Sequence, residues 1–200
     1  LGIMAVSSTI SVLYLQLTGT FDGWAESLHH GIFQTISIGT TTGYTTAAYY
    51  NWPGFLPVML LFLSFVGGCA GSTGGGMKVI RVILLFKQGV REIFQLIHPN
   101  AVIPVKIGGK VMPDKVSSAI WGFFALYVAS FSVLLLVLMA TGLDQVTAFS
   151  ALAASLNNLG PGLGDVGANY EGINDFSKWV LCFAMMLGRL EIFTLLVIFM

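Results

Sequence analysis

The sequence predicts an all-α integral membrane protein made of tandem repeats. This prediction rests on its composition, its long apolar stretches and an order of segments that occurs twice. Of the 200 residues, 56% are hydrophobic and 9% are charged, and the mean hydropathy is +0.85. A soluble domain carries about 25% charged residues, so the shortage of charge indicates that lipid surrounds the chain. The formal net charge is zero, and no basic field indicates a nucleic-acid partner.

Four apolar stretches occupy residues 1–17, 52–86, 116–140 and 176–200. A membrane span needs about 20 apolar residues, and the third and fourth stretches reach that length outright. The second is long enough, but glycines interrupt it. Because the first and last residues already lie inside apolar stretches, we expect the sequence to belong to a longer protein.

Two shorter apolar segments, residues 24–38 and 145–156, cannot span a bilayer. Each follows a loop that carries an acid, Asp22 or Asp144. Each ends in a polar run that contains glycine, Thr-Thr-Thr-Gly-Tyr-Thr at 40–45 and Asn-Asn-Leu-Gly-Pro-Gly at 157–162. Non-helical backbone at membrane depth is tolerated only against protein or a water-filled cavity. We therefore predict two re-entrant helices.

These segments form a repeat of outer helix, re-entrant helix, glycine turn and inner helix. The predicted units are residues 1–96 and 116–200, joined by a linker over 97–115. Repeated spanning units usually indicate symmetry about a central path. Two units cannot surround a pore, so about two more would come from the rest of the protein or from another chain.

Positive residues set the orientation in the membrane. Between the glycine-rich part of the second stretch and the start of the third lie Lys78, Arg81, Lys87, Arg91, Lys106, Lys110 and Lys115. The loops that bear the short helices are acidic, with Lys178 as their cation. The middle segment is therefore predicted to be cytoplasmic, and both glycine turns face outward. Gly108-Gly109 predicts a hairpin over 105–112.

The two polar runs are candidates for an ion selectivity filter. A potassium ion must shed water in a narrow filter, and backbone carbonyls can replace that water. Glycine permits the unusual φ and ψ values that such a strand needs, and threonine adds a hydroxyl at the inner mouth. The first run resembles the Thr-Val-Gly-Tyr-Gly filter of potassium channels at its Thr, Gly and Tyr positions. The predicted K⁺-binding filter residues are Thr41, Thr42, Gly43, Tyr44, Asn158, Leu159, Gly160 and Pro161. Two ordinary turns after short helices are the alternative.

The glycine-rich segment in the second stretch is a candidate gate. Six of the ten residues from 67 to 76 are glycine, and each costs a helix interior about 1 kcal/mol, which favours an unwound loop. A close helix-packing surface would explain the spacing of two of the glycines but not the glycine triplet. The predicted gate residues are Gly67, Gly68, Gly71, Ser72, Thr73, Gly74, Gly75, Gly76 and Arg189.

Arg189 joins this set because of its depth. It follows Asp175 by 14 residues, which is roughly 21 Å along a helix and too deep for easy snorkelling. Aligning the repeats through Gly43 and Gly160 places Arg189 opposite Ser72. Loop carbonyls could accept from its guanidinium. A static ion pair is the alternative.

Four stretches together, at residues 37–46, 67–78, 157–164 and 188–191, resemble the second half of the TrkH family. These are membrane subunits of bacterial potassium uptake systems within the wider Trk/Ktr/HKT superfamily. The resemblance implies four non-identical repeats, of which this chain holds the third and fourth. It also implies a multi-pass homodimer in the bacterial inner membrane, a cytosolic TrkA-like nucleotide-binding regulatory subunit and no organic cofactor.

The favoured function is K⁺ uptake through the carbonyl-lined filter, gated by the glycine-rich loop. Sodium or mixed-cation permeation and ion-coupled K⁺ symport remain alternatives within transport. A non-conducting membrane scaffold would explain the apolar spans but not the paired re-entrant turns. We predict no enzymatic activity, because no acid pair, nucleophile–base set or metal cluster is suitably spaced.

Overall fold

The computed structural model describes residues 2–68, 75–98, 101, 103–107 and 110–189. Within them the chain is mostly helical, which confirms the predicted all-α class. The helices are α1 (Gly2–Leu17), α2 (Trp24–Gly39), α3 (Leu56–Val66), α4 (Val79–Ile97), α5 (Asp114–Ala140), α6 (Gln145–Leu156) and α7 (Asp175–Arg189). Short 3₁₀ turns cover Tyr49–Asn51 and Gly164–Val166.

α5 is a membrane-spanning helix by length and composition. Its segment Ser118–Ala140 has 23 residues with a mean hydropathy of 2.5, and only 17% of its apolar window is buried. A core helix of a soluble protein would bury most of such a surface. Among the described residues no other helix meets both criteria, since α1, α3 and α6 are apolar but shorter.

α2 buries polar residues and exposes apolar ones, which reverses the usual pattern of a helix in a soluble protein. Two of its buried polar residues contact α1, where Thr35 Oγ1 donates to Ser11 Oγ at 3.0 Å and Ser27 Oγ donates to Gln16 Oε1 at 3.1 Å. Its exposed face carries large apolar side chains: Leu28, Ile32, Phe33 and Ile36. Hydrogen bonds hold helices together where the surroundings are as apolar as the side chains. This pattern fits a re-entrant helix in a membrane protein.

α6 lies at the centre of the molecule. Every residue from 147 to 157 except Phe149 is buried, as expected of a helix that is apolar on all sides. It packs against α5 and α7 in one core cluster, while Ala153 and Ala154 join a second cluster with Tyr49, Leu56 and Leu60. The two predicted repeats therefore share a core across α6.

The N-termini of the two short helices differ. Asp144 caps α6, because its Oδ2 accepts from the backbone N–H groups of Val146 and Thr147 at 3.1 and 3.2 Å. Hydrogen bonds from the Thr147 side chain and backbone lower the pKa of this exposed carboxyl. α2 begins after Gly23, without a side-chain cap. Asp22, which the sequence pairs with Asp144, is one residue too early to cap the helix.

α4 differs from the helix that the sequence predicts. The apolar stretch suggests a second half that ends near Phe86, but α4 begins at Val79 and continues to Ile97. The continuous apolar run ends at Phe86, because polar residues follow at Lys87, Gln88 and Arg91. Apolar residues continue at helical spacing, however, and an amphipathic helix needs only one apolar face. α5 likewise begins at Asp114, two residues before the predicted stretch.

Two short strands follow α4. β1 (Lys106–Ile107) pairs with β2 (Lys110–Val111) in antiparallel register, as the predicted hairpin requires. Its turn, Gly108-Gly109, lies outside the described residues. Lys87 Nζ, in the middle of α4, donates to the carbonyl oxygen of Lys106 at 2.7 Å, so the hairpin folds back against the helix.

Candidate functional site

The C-termini of α2 and α6 have the same backbone conformation. Thr41 and Asn158, at matching places after these helices, both adopt left-handed φ angles, +56° and +53°. Thr42 N–H donates to Ser37 O and Leu159 N–H donates to Ala154 O, each at 2.8 Å. This is a Schellman motif, in which a left-handed residue ends a helix. Both polar runs therefore leave their helices along the same path.

A β-branched threonine is a rare occupant of the left-handed region. Holding such a residue there costs about 1–3 kcal/mol, and this kind of strain clusters at ligand-binding and switch sites. Two residues later, Gly43 and Gly160 also have positive φ angles, +81° and +105°, which glycine adopts without strain. At the first matched position a threonine and an asparagine thus adopt one conformation, and at the second position both runs use glycine.

The two runs lie side by side. A Cβ atom on Gly43 would collide with the carbonyl oxygen of Leu159, so only glycine permits this approach. An open cavity of about 670 Å³ lies between the runs, and its lining includes Thr45, Pro161 and Tyr170. The structure brings together the predicted filter residues of both repeats.

Hydroxyl groups hold several carbonyls of these runs. Tyr170 OH donates to Gly160 O at 2.7 Å, and Tyr49 OH lies 3.0 Å from both Pro161 O and Gly162 O. A carbonyl oxygen has two lone pairs, so a carbonyl that accepts one hydrogen bond can still bind a cation. These bonds fix the orientations of successive peptide groups in the second run.

Thr41 carries an unsatisfied polar atom. Its Oγ1 is buried and, among the described residues, has no hydrogen-bond partner. Buried polar groups nearly always have a partner, and the exceptions point to a water, an ion or a functional role. A hydroxyl oxygen at the start of the run is a suitable ligand for a cation.

A buried polar network supports the second run from beneath. Asn157 is fully buried. Its Oδ1 accepts from Tyr127 OH at 2.8 Å, and its Nδ2 donates to Ser64 Oγ at 2.8 Å. Asn157 is the C-cap of α6, so residues of α3 and α5 hold the peptide that leads into the run.

The two ends of the glycine-rich segment meet beneath these runs. α3 ends at Val66 and α4 begins at Val79. Met77 N–H donates to Phe65 O at 3.0 Å, which brings the two ends together. A Cβ on Gly75 would collide with the carbonyl oxygen of Asn157, so Gly75 contacts the start of the second run.

Not all of the predicted gate residues can be placed. Gly67, Gly68, Gly75 and Gly76 are described, whereas Gly71, Ser72, Thr73 and Gly74 lie outside the described residues. Arg189 is exposed at the end of α7. Its neighbour Gly188 packs so closely that a Cβ would collide with Leu156 O and approach Asn158 Nδ2. The end of α7 and the end of the loop therefore converge on residues 156–158.

Sequence analysis does not identify four residues that hold the second run in place: Ser64, Tyr127, Tyr49 and Tyr170. None belongs to a motif. The one available signal is that a tyrosine buried in an apolar segment must place its hydroxyl against a partner. That signal does not reveal which partner, because the contacts of Tyr49 and Ser64 cross from one repeat to the other.

Comparisons with known proteins place the chain among transporters. The family model TrkH, described as cation transport protein, matches residues 19–200. The Trk system potassium uptake protein TrkH of Vibrio parahaemolyticus is 56% identical over 181 residues, which are 90% of this chain and 36% of that protein. Its counterpart in Escherichia coli K12 is 47% identical over 199 residues, with 100% and 41% covered.

A solved structure agrees with these sequence relatives. The crystal structure of the potassium transporter TrkH from Vibrio parahaemolyticus matches with a TM-score of 0.93 at 51% identity, covering 99% of this chain and 42% of that one. The chain spans about two fifths of the length of the relatives that it matches.

Proposed function

Because the chain belongs to the TrkH family of cation transport proteins, we propose that it supplies two pore units to a protein that takes up potassium across the bacterial inner membrane. The observation that carries this proposal is the matched backbone of the two runs. Different sequences reach the same left-handed turn followed by a glycine of positive φ. A left-handed turn is a common helix end, so the support lies in the glycine of positive φ that both runs share two residues later.

The ion would be bound by backbone carbonyl oxygens. We assign direct ligation to Thr41, Thr42, Gly43, Asn158, Leu159 and Gly160. Tyr44 and Pro161 continue the two runs toward the outer mouth. The buried Thr41 hydroxyl supports a cation site at the inner end of the first run. Carbonyl cages select ions by replacing their hydration shell. In this proposal K⁺ is the transported ion and not a cofactor.

Permeation would be controlled beneath this filter. The loop over residues 67–76, with Arg189, forms the gate in this proposal. Its support is the contact of Gly75 with Asn157 and of Gly188 with Leu156. Both contacts lie at the inner end of the second run, where a moving loop would open or block the path.

Two partners complete the proposal. Family membership supports a homodimer in the membrane and a cytosolic nucleotide-binding subunit of the TrkA type. Two pore units cannot surround a path, so in this proposal about two more come from the rest of the full-length protein or from another chain.

The first prediction tests the filter with Gly43→Ser. The new side chain meets a backbone oxygen of the second run and requires a φ of +81°, which serine rarely adopts. We expect the ratio of K⁺ to Na⁺ flux to fall in liposomes containing the full-length protein. Gly142→Ser is the control, since Gly142 also has positive φ but nothing lies within 4 Å of its Cβ position.

An unchanged flux ratio in an assembled Gly43→Ser protein would remove Gly43 from the filter. Equal K⁺ and Na⁺ fluxes in the parent protein would replace selective potassium uptake with mixed-cation permeation.

A further inference from the structure

Tyr49 connects the two repeats at the filter. It begins the 3₁₀ turn Tyr49–Asn51, a few residues after the first run, and its side chain is fully buried. Its hydroxyl reaches the second run, where Pro161 O and Gly162 O each lie 3.0 Å away. A phenylalanine would fill the same space, so packing alone does not explain the hydroxyl.

The first run holds the matching carbonyl in a different way. Tyr44 occupies the place in the first run that Pro161 occupies in the second. Tyr44 O accepts from Ser37 Oγ on α2 at 2.6 Å. The residue of α6 that matches Ser37 is Ala154, which has no hydroxyl. The matching carbonyls, Tyr44 O and Pro161 O, therefore each have a hydroxyl donor. In the first run the donor is the nearby Ser37, and in the second run it is Tyr49 from the other repeat.

We propose that Tyr49 is a positioning residue for the second filter run and that its hydroxyl replaces the serine missing from α6. The Pro161 ring fixes its own φ angle, so holding the Pro161 carbonyl restricts the Gly160–Pro161 peptide group before it. The Gly160 carbonyl then keeps the orientation that an ion needs. This inference rests on the proposed function, and it makes selectivity in one repeat depend on a side chain of the other.

The second prediction removes only the hydroxyl, with Tyr49→Phe in the full-length protein. Net hydrogen-bond energies of this kind correspond to about twofold to tenfold changes in an equilibrium. We expect the K⁺ to Na⁺ flux ratio in liposomes to fall within that range. The ratio does not depend on how much protein is folded, so a lower yield would not mimic the effect.

A rescue variant separates carbonyl positioning from general packing. Ala154→Ser places a hydroxyl where Ser37 stands in the first run, so Tyr49→Phe/Ala154→Ser should recover part or all of the lost ratio. Ser37→Ala should cause a comparable loss through the first run. Tyr50→Phe is the matched control, because among the described residues no hydrogen bond to the Tyr50 hydroxyl is formed.

The outcomes distinguish this inference from the proposed function. A K⁺-selective parent with an unchanged ratio in Tyr49→Phe would overturn the role of Tyr49 and leave the filter assignment intact. A loss that Ala154→Ser does not recover at all would show that the hydroxyl acts elsewhere than on these carbonyls. A parent without K⁺ selectivity would overturn the proposed function itself.

Discussion

At the scale of single residues, the buried Asn157 side chain links α6 to α3 and α5. Its amide uses both its donor and its acceptor on partners from two other helices, Ser64 and Tyr127. Buried polar networks are stabilising when every member is satisfied and costly when one is left unpaired. The amide thus fixes where α6 ends and where the second run begins.

The third prediction follows from this network. Asn157→Leu keeps the volume but leaves the Tyr127 hydroxyl without its acceptor and removes the bond to Ser64. Each unsatisfied buried group costs about 1–3 kcal/mol. We expect a clear loss of thermal stability in detergent. Asn169→Ala is the control, because the Asn169 side chain makes a local bond in an exposed loop.

The triple variant Asn157→Leu/Tyr127→Phe/Ser64→Ala sharpens the test. Replacing all partners by apolar groups is often nearly neutral, so the triple variant should be more stable than Asn157→Leu alone. A single variant as stable as the parent, or a triple variant that is less stable than the single, would contradict the network's role.

At the scale of elements, the break between α3 and α4 bears on the proposed gate. The two helix ends are joined at the base of the loop, and Val79 N–H donates to Gly68 O at 3.2 Å. α4 then runs to Ile97 and contacts the hairpin through Lys87. A pull on α4 would therefore reach Gly75, which contacts Asn157.

The fourth prediction concerns a latch between Arg189 and the carbonyls of the glycine-rich segment. If Arg189 donates to loop carbonyls and repels K⁺ while the gate is closed, Arg189→Ala should raise basal flux. Deleting several loop glycines should do the same. The combined change should be less than additive, because both act on one latch. Lys178→Ala is the control: it removes a cation at the other end of α7, where Lys178 pairs with Asp175 at 3.1 Å.

Basal flux measured in liposomes without the regulatory subunit decides the matter. Flux equal to or below that of the parent in both single variants, at normal expression, would rule out the latch and assign Arg189 to a structural ion pair.

At the scale of the whole molecule, acidic and basic residues occupy different segments, and the sequence predicts that the acidic loops face outward and the basic segment faces the cytoplasm. The basic residues gather on α4 and the hairpin, where Lys106 is exposed. Complementary charge mainly increases association rate and specificity between partners. We predict that the positively biased segment 87–115 is the surface on which a cytosolic subunit docks.

The fifth prediction reverses these charges. Lys106→Glu/Lys110→Glu should weaken binding of the regulatory subunit, and more strongly at low salt, where charges are less screened. Binding kinetics over a range of ionic strengths measure this effect. Lys178→Glu on the outer side is the control. Affinity that does not change at low salt would place the docking surface elsewhere.

Much of this protein could be read from its sequence because the signals are local. Low charge and long apolar stretches determined the membrane class, and the TrkH resemblance is confirmed by the family match. The short helix 145–156 agrees residue for residue with α6. The end of α4 was wrong because an amphipathic helix has no continuous apolar run. Cation binding at the runs, the gate and the docking surface stay predictions.

Only the tertiary structure decided which distant groups meet. Tyr49 and Pro161 are 112 residues apart, and Asn157 and Ser64 are 93 apart. Composition and helical periodicity describe neighbours along the chain, whereas these contacts depend on how the two units pack around α6. Hydroxyl and amide groups can bond to many partners, so their residue types cannot identify the partner. The sequence by itself determined two candidate filter runs, and packing determined how each run is held.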